Sequence, residues 1–327
     1  LPGENAECVC AGLRTVFEHI GAVPLTLVLD NATGAGHRVA WDRVSIVKVF
    51  ELFVEHYRLE TRFCNPNSGN EKGSVENAVG FLRRNIMVPL LNAESYAQLT
   101  RYMLERCDAM AKETHYRKGA PIGGLFAEEK AEMQPLPSKP YDAIRWEVRK
   151  ADKDGRVQVD GNHYLAGPSW RGWTLDVALR AFDVTIRTQD GRTCARLPRV
   201  YGDSPATIRD PATLLPALGR KTNAWPDSTI RDDFPDKLRL AIDRMDAKAR
   251  RNAFRLISRT SDACGFEPAV EAGEHLVEQG HPLDEASLTT MARRIASGEK
   301  PYEQTAPDLT GYDVFMQPRG TRERKEA

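Results

Sequence analysis

GNEKGSVENAVGFLRR, residues 69–84, is the stretch around which the rest of the chain is organised. After a polar entry containing glycines, apolar residues recur at the spacing of a helix that buries one face. These residues are Val75, Val79, Leu82 and Ile86. The pattern predicts an amphipathic helix with a single buried stripe.

A second stripe of the same predicted helix carries charge. It contains Lys72, Glu76, Gly80 and Arg83, so a carboxylate lies between two cations. The glycine would let a bulky group approach the backbone there. Such a stripe is typical either of a solvated helix face with an ion pair or of a functional site, and the helix alone does not decide between them.

A buried strand upstream favours the functional alternative. PLTLVLD, residues 24–30, is a short apolar run that ends in Asp30. A carboxylate at the end of a buried strand is a common active-site position in α/β folds. A glycine-containing loop, a helix over about 42–57 with Asp42 as its N-cap, and a strand over 58–63 are predicted to follow. A helix crossing back over the sheet would bring Glu76 beside Asp30.

Two or three carboxylates that meet at one point are suited to a hard divalent cation. Mg²⁺ takes a few carboxylate ligands and fills its remaining positions with water and phosphate oxygens, and Mn²⁺ accepts the same donors. Asp30 and Glu76 are therefore the candidate metal ligands. A metal pair in such a site activates an attacking oxygen and stabilises the leaving one.

Two segments carry a family resemblance. LVLDNATG, residues 27–34, and HYRLETRFCNPNSGNEKGSVENAVGFLRRN, residues 56–85, resemble the IstA-type insertion-sequence transposases, which are related to phage Mu transposase and retroviral integrases. The resemblance implies an RNase H-like catalytic domain with a DDE triad. Asp30 would be its second acid and Glu76 its third. The match extends more loosely over residues 1–260.

The resemblance also assigns residues around the two acids. Asn70, Lys72 and Gly73 match the polar lead-in before the third acid, and Asn70, Lys72, Arg83 and Arg84 would contact DNA. The first acid of the family lies on a strand upstream of Leu1. The expectation is therefore a C-terminal portion of a longer transposase, without the first three strands and the N-terminal DNA-binding region, and inactive as a catalyst by itself.

Composition is that of an ordinary globular protein. Apolar residues make up 41% and charged residues 28% of the 327 positions, and Lys+Arg 46 balances Asp+Glu 46. Zero formal net charge argues mildly against a dedicated nucleic-acid binder, although a basic stripe can lie on a neutral whole. The sequence has no membrane-length apolar run and its six cysteines are scattered. A cytoplasmic location with reduced thiols is expected.

Changes in periodicity and composition divide the chain into regions. The predicted regions are the catalytic part at 1–134, a proline-rich linker at 135–140, a small β-barrel at 141–203, a helical region at 204–298 and a disordered tail at 299–327. In the second region, period-two alternation and turn dipeptides indicate short strands. The resemblance agrees, since Mu-like transposases carry a barrel after the catalytic domain.

The predicted barrel contains tryptophans beside cations. The segment Trp170-Arg171-Gly172-Trp173 would expose aromatic rings next to Arg171, a face able to grip phosphates and sugars without reading sequence. Alternatively, Trp146 and Trp173 belong to the barrel core. The pattern does not separate the two.

Three functions are consistent with these observations. The first is metal-dependent DNA cleavage and strand transfer by an insertion-sequence transposase. The second is a non-catalytic remnant that binds DNA or an ATPase, and the third is an RNase H-like nuclease. The resemblance implies DNA as a partner, assembly of several copies on DNA, and a helper AAA+ ATPase of the IstB type.

Overall fold

In the computed structural model, the described residues are 1–29, 34–40, 43–63, 69–89, 91–202 and 204–298. Only the backbone is described for 37–40, 43–45 and 69–76. The predicted disordered tail at 299–327 therefore lies outside the described residues. The chain divides into two compact units, Leu1–Leu214 and Leu215–Ala327.

The first part of unit 1 alternates helices and short strands. In order these are α1 (Ala6–Ile20), β1 (Thr26–Leu29), β2 (Gly36–Ala40), β3 (Arg43–Ile46), α2 (Lys48–Tyr57), β4 (Glu60–Phe63), α3 (Gly69–Ile86), α4 (Tyr96–Met110) and α5 (Ile122–Ala131). The Asn5 side chain caps α1 by accepting from the Cys8 N–H at 3.0 Å. Gly21 ends the helix with φ of +70°, a backbone conformation that glycine adopts without strain.

The core of this part lies between α1, α2 and the parallel pair β1–β4. Phe17 packs on Phe53 and Tyr57, and Phe50 stacks on Phe53 at 6.0 Å between ring centroids. These four rings are at most 3% exposed. A sheet of two strands is only marginally stable by itself, and the burial of these large aromatic side chains stabilises this part of the chain.

Three details of the predicted elements are wrong. The strand predicted to be buried before Asp30 is not buried, since Leu25 and Val28 are 56% and 63% exposed. The loop and helix start predicted between residues 34 and 48 are replaced by the antiparallel pair β2–β3, and α2 begins only at Lys48 with Val47 as its N-cap. The β-branched residues Val44 and Ile46 explain the strand. The predicted buried stripe of α3 is also incorrect, because Val79 and Leu82 are 43% and 39% exposed and Ile86 alone of the described stripe is buried.

The second part of unit 1 consists of antiparallel strands with one parallel pairing. They are β5 (Arg145–Lys150), β6 (Arg156–Val159), β7 (Asn162–Leu165), β8 (Thr174–Leu179), β9 (Asp183–Thr188), β10 (Thr193–Pro198) and β11 (Thr207–Ile208). Their order is β10-β9-β8-β5 in one sheet and β11-β7-β6 in another. One apolar core, which includes Tyr164, Leu175 and Ile186, is shared by both sheets.

The predicted closed barrel is therefore a pair of sheets, called the sandwich below. Among the described strands no hydrogen-bonded ring closes, since β5 and β6 lie at the edges of different sheets. The predicted mixture of α and β structure is confirmed at that level. The alternating pattern that predicted the strands is compatible with either a barrel or two facing sheets, because both bury every second residue.

The proline-rich segment at 135–140 is attached to its surroundings. Leu136 packs against the α1–α2 core, and the Gln134 N–H donates to the Val23 carbonyl at 2.8 Å. Just beyond it, the Tyr141 hydroxyl donates to the Val49 carbonyl at 3.1 Å. The segment thus follows the core surface on its way to the sandwich.

Unit 2 is helical. Its helices are α6 (Leu215–Arg220), α7 (Asp236–Arg244), α8 (Ala247–Cys264), α9 (Phe266–Glu278) and α10 (Glu285–Ala296). Trp225 is fully buried at its centre, in contact with Phe234 and Phe254 at about 5.0 and 5.1 Å between centroids. The Trp225 Nε1–H donates to Asp243 Oδ1 at 2.7 Å, which satisfies its polar group inside the core.

Candidate active site

The pairing of β1 with β4 defines one edge of the region predicted to be catalytic. The two strands are parallel, and Leu29 is opposite Phe63. Their carboxyl ends therefore lie side by side. Asp30 is the next residue after β1 in the sequence, and ligands of open α/β sheets bind at the carboxyl ends of the strands. Asp30 itself lies outside the described residues.

α3 begins six positions after β4 ends and carries the second predicted acid. Glu76 lies in the first half of this helix, together with Asn70 and Lys72. The side chains of all three lie outside what the structure describes, so the predicted convergence of Asp30 and Glu76 stays a prediction. Chain length is compatible with it, because six extended residues span at most about 20 Å.

The structure describes the other two cations predicted on α3, Arg83 and Arg84. Arg83 and Arg84 lie in its last turn, and both are exposed. A Cβ on Gly80 would be 3.4 Å from Arg84 Nη1, so the Arg84 side chain lies across the glycine. The bare backbone at Gly80 is thus approached by a cation from the next turn of the same helix.

The predicted ligands, Asp30 and Glu76, are of a chemical type that binds divalent metal ions. Asp30 and Glu76 offer carboxylate oxygens, which hard divalent cations prefer. Among residues whose side chains are described, no group of three or more His, Cys, Asp or Glu could hold a metal ion.

The structure shows whether Trp146 and Trp173 belong to the core or to the surface of the sandwich. Trp146 and Trp173 are each 53% exposed, so the interpretation that they are core residues is wrong. The Arg187 guanidinium lies 5.9 Å from the Trp146 ring centroid, and Arg192 lies 5.2 Å from the Trp170 centroid. Arg171 is exposed between Trp170 and Trp173. Aromatic rings and cations are therefore available together at this surface.

An ion cluster that the sequence did not reveal joins α1 to the sandwich. Arg145 Nε donates to Glu7 Oε1 at 2.8 Å, and Arg199 Nη1 lies 3.6 Å from Glu7 Oε2. Both arginines also contact Asp160, with Arg199 Nη2 donating to Oδ2 at 2.9 Å. The side chains of Glu7 and Arg199 are 1% and 3% exposed. Buried charges of this kind persist only when each is paired.

Burial and pairing act in opposite directions on Asp160. Desolvation raises the pKa of Asp160. The hydrogen bonds and positive charges of Arg145 and Arg199 lower it by a larger amount, so the pKa lies below its ordinary value. Asp160 is therefore charged at neutral pH. The members of the cluster are far apart in the sequence, and no local pattern marked them as partners.

Known proteins share parts of this sequence. Residues 136–210 match the family model described as Mu transposase, C-terminal domain. The transposase for insertion sequences IS1326/IS1353 of Pseudomonas aeruginosa is 28% identical over 192 residues, covering 58% of this chain and 38% of that protein. The transposase for insertion sequence element IS21 of the same organism is 27% identical over 184 residues, covering 56% of this chain and 47% of that protein.

The chain is similar in sequence to IS21-type insertion-sequence transposases. The family resemblance stated from the sequence is thereby confirmed. A transposase of Aminobacter aminovorans, 28% identical over 230 residues, extends the match to 68% of this chain and 45% of that protein. The chain spans less than half the length of these relatives. No helix in the described ranges is long and apolar enough to cross a membrane.

Proposed function

We propose that this chain forms part of a transposase that cuts DNA at the ends of an insertion sequence and joins them to target DNA. The observation that supports this most directly is the parallel pair β1–β4, whose carboxyl ends lie side by side and whose first strand is followed in the sequence by Asp30. Relatives named as insertion-sequence transposases match the same region. We assign the region 1–134 to an RNase H-like core, followed by the linker 135–140, the sandwich domain and the helical region.

In this proposal Asp30 and Glu76 hold Mg²⁺ or Mn²⁺. The bound metal supplies Lewis acidity toward the reacting phosphate and a lowered pKa for an attacking water or 3′-hydroxyl. Asn70, Lys72, Arg83 and Arg84 would bind DNA phosphates. Gly80 would allow the DNA backbone to lie close to that helix.

The proposal is tested by strand transfer with the full polypeptide on DNA that carries the element's ends. Glu76→Gln and Asp30→Asn should each reduce the rate by about 1,000-fold, because losing one metal-holding carboxylate costs several kcal/mol of transition-state stabilisation. DNA binding in EDTA should be unchanged. Glu71→Gln, on the same helix, is the matched control and should retain activity. Near-normal strand transfer by Glu76→Gln would rule out the assignment.

A second function is favoured by the exposed tryptophans. The sandwich would hold DNA through Trp146, Trp173 and Arg171 whether or not this chain performs catalysis. Retention of DNA without divalent metal, lost at high salt, is the expected behaviour. Binding that requires Mg²⁺ would contradict it.

The resemblance further implies assembly of several copies on DNA and an AAA+ helper ATPase of the IstB type. We carry both over as proposals. Light scattering with and without transposon-end DNA tests the first, since a single copy per DNA end at all concentrations would contradict it. Pull-down of the purified ATPase tests the second.

A further inference from the structure

α8 separates apolar and basic side chains onto opposite faces. Its buried residues, which include Phe254, Leu256 and Ile257, face the interior of unit 2. At the helical period of 3.6 residues, the opposite face carries one stripe of exposed cations. The basic stripe consists of Lys248, Arg251, Arg255 and Arg259.

Composition does not require this concentration of charge. The whole chain carries 46 basic and 46 acidic residues, yet α8 contains five basic side chains and a single acidic one, Asp262. Like charges at i,i+4 destabilise a helix by a few tenths of a kcal/mol per pair. The basic stripe therefore destabilises the folded helix, and binding of an anion from another molecule would offset this destabilisation.

The fifth cation of α8, Arg250, differs from those of the basic stripe because it has a structural role. Arg250 donates to the carbonyls of Ile242, Asp243 and Met245 at 3.1–3.2 Å, at the end of α7. The side chains of Lys248, Arg251 and Arg255 make no hydrogen bond or ion pair with the described residues.

The rest of the stripe adds to this basic surface. Arg259 lies 3.5 Å from Glu285, but both side chains are more than 60% exposed, so this pair is weak. Arg255 lies beside α6, with its Cγ 3.8 Å from the position of a Cβ on Gly219. The two residues after Gly219, Arg220 and Lys221, are also basic and exposed.

We propose that the basic stripe binds the phosphate backbone of duplex DNA without reading its sequence. From Lys248 to Arg259 the helix rises about 16 Å, and phosphates of one strand follow each other every 3.4 Å along the duplex axis, so roughly five phosphates lie within that length. Guanidinium groups bind phosphate oxygens through two hydrogen bonds. This surface lies outside the sites assigned above and needs no divalent metal.

An acidic protein is the competing partner, and the character of the stripe disfavours it. Stable protein interfaces bury an apolar centre surrounded by polar residues. α8 has no large apolar side chain among its exposed residues; between the cations stands Asn252, a polar side chain. Contacts to a phosphate backbone need only cations and polar donors.

The test uses the full chain, a fluorescein-labelled duplex of random sequence, and EDTA. Fluorescence anisotropy gives the affinity at KCl concentrations between about 50 and 200 mM. The variant Lys248→Gln/Arg251→Gln/Arg255→Gln should bind about tenfold or more weakly, and the slope of log affinity against log salt should fall by about 2–3. Glutamine is a good helix former, so circular dichroism should show unchanged helix content.

Two further variants separate a specific surface from total charge. Lys112→Gln/Lys118→Gln/Lys153→Gln removes the same charge from exposed positions of unit 1 and should change the slope by less than about one half. Lys248→Arg/Arg251→Lys/Arg255→Lys keeps the charge and should keep the slope. Equal slope changes in both glutamine variants would overturn the proposal.

The remaining possible outcomes also either support or overturn the proposal that the basic stripe binds DNA. A slope unchanged in the stripe variant, or no DNA binding by the wild type, would overturn the proposal, and displacement of DNA by equimolar polyglutamate would point to an acidic protein instead. Loss of binding in the stripe variant with full binding by Glu76→Gln would support it. Because EDTA excludes catalysis, failure here leaves the proposed strand transfer unaffected, and failure of strand transfer leaves this result unaffected.

Discussion

Arg145 Nε donates to Glu7 Oε1 at 2.8 Å and so joins the first turn of α1 to the first strand of the sandwich. α1 leads through Gly21 to β1, and β1 leads directly to Asp30. With Tyr141 anchored on α2 at Val49, the sandwich is attached to the core of unit 1 at two places. The exposed tryptophans and the strand edge before Asp30 therefore belong to one packed unit.

Removing the charge of Glu7 should destabilise unit 1. Glu7→Gln leaves Arg199 partly unpaired in a buried site, and breaking a buried ion pair on one side costs about 3 kcal/mol or more of unfolding free energy. Urea unfolding followed by hydrogen exchange of the sandwich amides measures the loss. Arg196→Gln, which breaks the pair with Asp183 from a side chain 69% exposed, should cost less than about 1 kcal/mol. Equal losses would contradict a special role for the buried cluster.

Truncating the exposed tryptophans should weaken DNA binding without changing its salt dependence. Trp146→Ala and Trp173→Ala should each cost about 1 kcal/mol, roughly fivefold in affinity, because an aromatic contact is lost but no cation. Both rings are half exposed, so unfolding free energy should change little. Tyr116→Ala removes a ring that is 82% exposed outside the sandwich and is the control. Unchanged affinity in both tryptophan variants would exclude the sandwich surface.

Local signals in the sequence account for the two ends of α1. Asn5 before an apolar periodic run and Gly21 after it mark the two ends of α1, because capping is a local property. The alternation around Trp146 and Val157 predicted strands for the same reason. Which strands share a sheet depends on distant pairing, and so two facing sheets were predicted as a barrel.

Properties set by distant contacts were not predictable. Helical spacing indicates one apolar face on α3, but whether Val79 and Leu82 are buried depends on what packs there, and the structure leaves them largely exposed. The Glu7–Arg145–Arg199 cluster unites three segments through charge alone. The predicted pair Asp30 and Glu76 rests on the family resemblance and on the order of elements, and their separation stays a prediction.

Gly80 offers a test in which stability and activity should change in opposite directions. Gly80→Ala should stabilise α3 by about 0.5–1 kcal/mol, since alanine is the better helix former and the neighbouring Arg84 side chain can shift. If DNA approaches the backbone there, strand transfer should nevertheless fall several-fold. Ala78→Gly on the same helix should lower stability without blocking DNA. Normal strand transfer by Gly80→Ala would show that the glycine leaves no room that DNA uses.

Asp243 should make unit 2 sensitive to acid. Burial raises its pKa, but hydrogen bonds from Trp225 and Arg231 and the charge of Arg231 outweigh burial and lower the pKa below its usual value. Because the folded pKa is lower than the unfolded one, the stabilisation is complete above the unfolded value of about 3.9 and is lost as pH falls through the folded pKa. Hydrogen exchange of the α8 backbone amides, measured between about pH 2 and 7, should show this loss of stability below about pH 4. Asp243→Asn should be less stable at neutral pH with a flatter pH profile, whereas Asp227→Asn, whose carboxylate is exposed, should follow the wild type. A wild-type slope that persists in Asp243→Asn would assign the acid sensitivity to other carboxylates.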